Sequence, residues 1–365
     1  MGSISLPPEI WLYIHRFATS PSLLMAARSE ELAYVSSQDP FQTISLREAR
    51  CFVLVSRLWN SLARELLYEN IPVPDNPRWF EGLRTALEHP GTAALVRSIQ
   101  LTTFRGDHNA AVLALCTQVQ VVSHPGDNSG STLIHPSSTI SFPTFHSLKH
   151  VFWTESIMSF PPLRLLLESA PNVEHLLLQL PPHFELRQEE RWTLPALPRL
   201  QRLACLVFTN HPVFKLDLQH LVRLHCASLH MRQPDFPALP ALETLELFGS
   251  YQGIDFSYIF SRFPRLRQLL YDVWNSIVAP PALGHPPHAE LDQVRLHSSV
   301  TVVRNWRPIE EHFALLISPE FPRIKRVVLE GMWYNVVSDV RFAHFRDGLG
   351  ARGCQVEFPE GFVRR

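Results

Sequence analysis

The sequence predicts an α/β chain: a small helical module at the amino end, followed by an array of short strands stacked side by side. Three observations carry this prediction. Two apolar stripes of helical period stand near the amino end, an apolar phrase with strand alternation recurs from residue 95 onward, and a proline precedes most copies of that phrase. The expected division is 1–72 for the helical module and 78–365 for the array.

The first stripe begins at Leu6-Pro7-Pro8-Glu9-Ile10. Proline at the first helical position has no hydrogen-bond donor to lose, and Glu9 in the first turn suits the positive end of the helix dipole. Ile10, Ile14 and Phe17 then fall on one face. The second stripe runs through Val55, Leu58, Trp59, Leu62 and Leu66, with Arg57, Asn60, Arg64 and Glu65 off it. A segment this short is marginal as an independent domain, so its apolar surface calls for a partner. The pair of segments resembles the F-box, the helical module that docks onto the Skp-type adaptor of cullin-based SCF ubiquitin ligases. The residues that match are Leu6-Pro7, Glu9-Ile10 and Ile14, then Val55-Ser56-Arg57, Trp59 and Leu62-Ala63; a long insertion over 20–45 separates the halves. The resemblance implies that Leu6, Pro7, Ile10, Ile14, Val55 and Trp59 contact the adaptor.

A hinge is expected at Ile71-Pro72-Val73-Pro74-Asp75-Asn76-Pro77. Beyond it the phrase reads Leu95…Ile99-x-Leu101 and, more loosely, Val119-x-Val121. It continues from Leu148, Val173, Leu200, Leu221, Leu242, Leu266, Leu291 and Ile324, each followed by apolar or cysteine positions three and five residues on. The steps between those eight residues are 25, 27, 21, 21, 24, 25 and 33, mostly within the 20–29 of leucine-rich repeats. Alternation places the last two positions of the phrase on one face of a short strand and the residue between them on the other. A lone rung buries too little to hold together, so the rungs must stack into a solenoid. Phe142-Pro143, Ala170-Pro171, Leu197-Pro198, Leu239-Pro240, Phe263-Pro264 and Phe321-Pro322 end the return segments, because proline cannot continue a helix. Stretches 163–168 and 256–260 can form helical turns on the convex side. The usual asparagine after the strand is mostly missing, so the expectation is an irregular leucine-rich repeat array.

Two segments break the rhythm: the polar loop 123–131 and the proline-rich stretch 278–288. The last segment, Gly353-Cys354-Gln355-Val356-Glu357-Phe358, can form a final edge strand that Pro359 and Arg364-Arg365 guard against further pairing.

Composition narrows the function. With 33 basic and 34 acidic residues the net charge is -1, which gives no electrostatic reason to expect nucleic acid or an anionic membrane as partner. Fourteen glycines, with no Gly-x-Gly-x-x-Gly or Gly-Lys-Ser/Thr loop, argue against a phosphate-cradling enzyme. Five scattered cysteines lack zinc-knuckle spacing, and the 18 histidines lack ligand spacing, so no metal and no cofactor is expected and the histidines are read as packed or solvated. No Gly-x-Ser-x-Gly or His-Glu-x-x-His motif is present. The chain is therefore read as a non-enzyme. Without a signal-peptide pattern or an uninterrupted 18-residue apolar run, a cytoplasmic or nuclear location is expected.

Recognition remains. The residues between and after the last two apolar positions of each phrase should face outward on the strand surface, and among them Phe152, Gln179, His225, Glu246, Phe248, Asp272, Arg295, His297 and Glu330 are the expected target-binding set. The resemblance then implies a substrate-recognition subunit of an SCF-type ubiquitin ligase, with a Skp-type adaptor and cullin complex on one side and a target protein on the other. The alternatives are a leucine-rich repeat scaffold without a ligase role, whose amino-terminal helices only cap the array, and an enzyme hidden in the insertions 123–139 and 278–290. Trp274, Trp306 and Trp333 read as loop-core fillers rather than interface anchors.

Overall fold

The structure is a computed structural model, and it describes residues 67–102, 106–124, 142–154, 160–179, 195–205, 220–232, 238–274, 276–279, 288, 290–300, 305–319 and 321–358. Leu6, Pro7, Ile10, Ile14, Val55 and Trp59 lie outside the described residues, as do most of the two rhythm-breaking insertions. The chain divides into two compact units, Met1–Leu176 and Leu177–Arg365. Both are mixed α/β, and every strand pairing described is parallel.

In the first unit the described elements are β1 (Asn70–Pro72), α1 (Pro77–Leu87), α2 (Pro90–Ala93), β2 (Ser98–Gln100), α3 (Gly106–Leu115), β3 (Val121–His124), β4 (His150–Thr154) and α4 (Phe160–Glu168). The unit boundary falls inside β5 (His175–Gln179). Strands β1 to β4 pair in chain order, so that Ile71, Ile99, Val122 and Val151 stand opposite one another, all buried. This register corrects three readings. Ile71–Val73 are not a hinge but part of a rung, with Ile71 and Val73 both in the core. The second rung starts at the fully buried Val96 rather than at half-buried Leu95. The third runs Val119, Val122, His124 rather than Val119-x-Val121, because Val122 is the residue level with Ile99 and Val151.

The second unit holds β6 (Arg202–Cys205), β7 (Arg223–Arg232), β8 (Thr244–Asp255), α5 (Phe256–Arg262), β9 (Gln268–Asp272), β10 (Ser276–Ala279), β11 (Gln293–Ser298), α6 (Arg307–Ile317), β12 (Arg326–Gly331), α7 (Tyr334–Val337), α8 (Val340–Ala351) and β13 (Gln355–Glu357). Here the order is β6-β7-β8-β9-β11-β12-β13, with β10 on the far half of β8. The phrase sets the register: Leu203, Leu224, Leu245, Leu269, Val294, Val327 and Val356 are level across the strands, and so are Cys205, Cys226, Leu247, Tyr271, Leu296 and Leu329. The expected final strand is β13.

Two backbone devices repeat. In the first, the residue before proline is buried and its carbonyl accepts the N–H of the first residue of the phrase. Ala170 accepts from Val173 (3.4 Å), Leu197 from Leu200 (3.0 Å), Leu239 from Leu242 (3.1 Å), Phe263 from Leu266 (3.1 Å) and Phe321 from Ile324 (3.5 Å). Each is a β-turn with proline at its second position, where its fixed φ is already suitable. The rung that begins at Leu148 lacks it: its turn comes after the buried Phe145, leaving Phe142-Pro143 outside the pattern. In the second device, one carbonyl just before a strand accepts two N–H groups from the next rung. Gln201, Val222, Glu243, Arg267 and Asp292 do this in the second unit, and Arg97, Gln120 and Lys149 in the first.

The helices and the core follow local chemistry. Asn76 caps α1 by accepting the Arg78 N–H at 3.0 Å, with Pro77 at the first helical position. Stretches 163–168 and 256–260, expected as convex helical turns, lie in α4 and α5. Edge-to-face aromatic pairs fill the second unit's interior, among them Phe256 with Tyr271 (5.8 Å) and Phe313 with Trp333 (6.2 Å). Gly331 has φ +79°, and a β-carbon there would stand 2.4 Å from the Ser298 carbonyl oxygen, so no other residue fits without moving backbone. No helix among the described residues is long and apolar enough to cross a membrane.

Candidate functional site: an ionic ladder on the strand face of the second unit

The residue between the two strand positions of the phrase points to the face opposite the apolar interior. In the second unit this row reads Ala204, His225, Glu246, Leu270, Arg295, Val328 and Glu357. Two residues further along each strand, Asp272, His297 and Glu330 form the next row on the same face. Six of the nine expected target-binding residues therefore come together here: His225, Glu246, Asp272, Arg295, His297 and Glu330.

They bond to one another. His225 donates from Nδ1 to Glu246 Oε2 at 3.0 Å. Arg295 reaches past Leu270 to give Nη1–H to Glu246 Oε1 at 3.1 Å, and its Nε–H goes to Glu330 Oε1 at 2.6 Å. One guanidinium thus ties β8, β11 and β12 together. Beside it His297 Nδ1 donates to Asp272 Oδ2 at 3.2 Å, while Asp272 Oδ1 accepts the Trp274 backbone N–H at 2.8 Å. Trp274 Nε1 in turn donates to the Ser298 hydroxyl at 2.7 Å, and that hydroxyl donates to the Met332 carbonyl, with 3.3 Å between the oxygens.

The expectation that these residues lie open is corrected. The side chain of Glu246 is 1% exposed and that of Asp272 5%, while those of Arg295, Glu330 and His297 are 24%, 19% and 18% exposed. His225 is buried as well, and so is Phe152 on β4 in the first unit. Gln179 ends β5 and Phe248 lies within β8; the structure describes the backbone of both. Alternation along a strand decides which way a side chain points, and has no bearing on what lies above it.

The electrostatics of Glu246 follow from this geometry. Burial alone would raise its pKa. The His225 hydrogen bond, together with the charges of His225, Arg295 and Arg223, outweighs that penalty and holds the carboxyl below its ordinary value. Removing a buried carboxylate from water is costly unless hydrogen-bond donors replace the water, which is what His225 and Arg295 do. Both carboxylate oxygens of Glu246 are engaged, so it is not a base poised toward an open cleft. Among the described residues no group of three or more His, Cys, Asp or Glu side chains is arranged to hold a metal ion.

Of the other described histidines, several are exposed, His89, His146 and His220 among them, while His108, His124, His288 and His312 are packed. His108 stacks on Phe80 (3.7 Å between ring centres, 4° between planes), and His124 on Trp153 (4.4 Å, 14°), where burial pulls its pKa down to about 4. His288 accepts the Leu291 N–H at Nδ1 (3.1 Å), so Nε2 carries the proton and faces the Phe263 carbonyl at 3.3 Å. His312 sits between the Tyr271 hydroxyl and the Val273 carbonyl, 3.2 Å from each. Trp333 is a core filler, 1% exposed and donating to the Leu296 carbonyl at 2.9 Å. Trp274 and Trp306 are half-buried, and the Arg341 guanidinium lies 3.9 Å over the Trp306 ring. The thiols of Cys116 and Cys354 are buried, which pushes their pKa values up to about 12 and about 11.

Sequence reasoning missed Asn109. From α3 its side chain accepts the Thr102 N–H at 2.9 Å and donates to the Thr102 carbonyl at 2.8 Å, both buried. In the sequence the trace of it is an asparagine shortly after the second rung. No protein-family model matches this chain, and no curated protein matches it.

Proposed function

We propose that this chain is the substrate-recognition subunit of an SCF-type ubiquitin ligase. The amino-terminal segment binds a Skp-type adaptor through Leu6, Pro7, Ile10, Ile14, Val55 and Trp59, and the array behind it holds a target protein. The chain supplies no catalytic residue of its own; it brings a target and a ubiquitin-conjugating machinery together.

The observation that carries this reading is the pairing of two features in one chain. The Leu6-Pro7-x-Glu9-Ile10 opening and the Val55-Ser56-Arg57-x-Trp59 half resemble the F-box. Behind them, parallel strands repeat in chain order with the apolar phrase in register, which supports an irregular leucine-rich repeat solenoid. Such an array offers a broad strand face suited to another protein rather than to a small molecule. In the second unit the part-exposed residues of that face include Arg295, His297, Val328, Glu330 and Glu357.

Co-expression with a Skp-type adaptor tests the proposal. The adaptor should co-purify with the intact chain, and Leu6→Asp combined with Ile10→Asp should abolish capture while leaving the thermal unfolding of the array unchanged. Capture that survives the double substitution overturns the adaptor assignment. It would leave the second reading, a repeat scaffold without a ligase role. Because β1 begins at Asn70, a truncation that removes 1–66 keeps the first described rung intact. On the ligase reading the truncated chain stays folded, and on the scaffold reading it loses a cap and aggregates.

A further inference from the structure

We draw no further inference here: the strongest candidate, the exposed apolar patch of Met332, Tyr334 and Val340 that follows β12, is a surface for which nothing in the structure shows what covers it.

Discussion

Among the described residues of the second unit, Arg326–Glu357 and Arg295–Glu246 both bridge strands of the sheet, and they differ in almost everything except their chemistry. Arg326 on β12 grips Glu357 on β13 with two parallel bonds of 2.7 and 2.6 Å, the better geometry of the two. The Arg326 and Glu357 side chains are 48% and 37% exposed. Arg295 touches Glu246 through a single bond of 3.1 Å, yet that carboxylate is 1% exposed. Geometry alone would rank the β12–β13 pair first. Burial reverses the ranking, because water and salt replace the partner of an exposed charge and cannot reach a buried one. Arg295 also answers for two carboxylates at once, so its loss strands more than one group.

The largest effect should therefore follow Arg295→Met. The substitution leaves Glu246 with the His225 hydrogen bond and the more distant Arg223 charge, and Glu330 without its 2.6 Å partner, at a cost on the order of 2–3 kcal/mol. Denaturant unfolding should show the drop, and hydrogen exchange should locate it in the amides of β8, β11 and β12. An unchanged midpoint would mean that His225 suffices to hold Glu246, and the contrast between the bridges would disappear.

A smaller, pH-dependent effect sharpens the same contrast. Glu246 has a folded pKa below its ordinary 4.5, so the unfolded chain takes up its proton first. Its contribution is complete above 4.5 and is lost as pH falls through the lower folded value. Acid-unfolding curves of the parent chain and of Glu246→Gln should lie apart above pH 4.5 and approach each other below it. Curves that stay parallel throughout would show that another group governs the acid limb.

The smallest effect belongs to Arg326→Met, which should leave the unfolding midpoint unchanged at high salt and shift it barely at low salt. A clear loss that persists in high salt would show that β13 needs its bridge to stay paired. Then exposure would no longer separate the two cases.

Much of this architecture was legible beforehand. The strands at Leu148, Val173, Leu200, Leu221, Leu242, Leu266, Leu291 and Ile324 came directly from the phrase, since a shared interior demands apolar residues at fixed intervals along each strand. The first rung was hidden because Pro72 and Pro74 flank Val73 and imitate a linker. The stagger at β3 was hidden because Val119, Val121 and Val122 are all apolar, and only pairing with Ile99 and Val151 selects Val122. β8 runs on for 12 residues, past the phrase and into sequence with no alternation to mark it, while β7 runs for 10 and the alternation of Ala227, Leu229 and Met231 in its far half is out of step with the phrase.

The candidate site was legible in membership and not in character. Six residues expected on one face are on one face, but they were read as a surface for someone else's side chains. The partners of Glu246 lie 21 residues before it and 49 after it, and no local pattern joins residues that far apart. The expected adaptor contacts depend on motif resemblance alone.

The carbonyls of Gln201, Val222, Glu243, Arg267 and Asp292 each receive two amides from the following rung, and no side chain takes part in the exchange. Those five positions carry glutamine, valine, glutamate, arginine and aspartate, so the pitch of the array is written in main-chain atoms that every residue except proline supplies alike. A lineage using this device can replace nearly all of its outward residues and lengthen its return segments while the spacing between neighbouring strands stays constant. Its shape would then outlast any resemblance between the letters of two descendants.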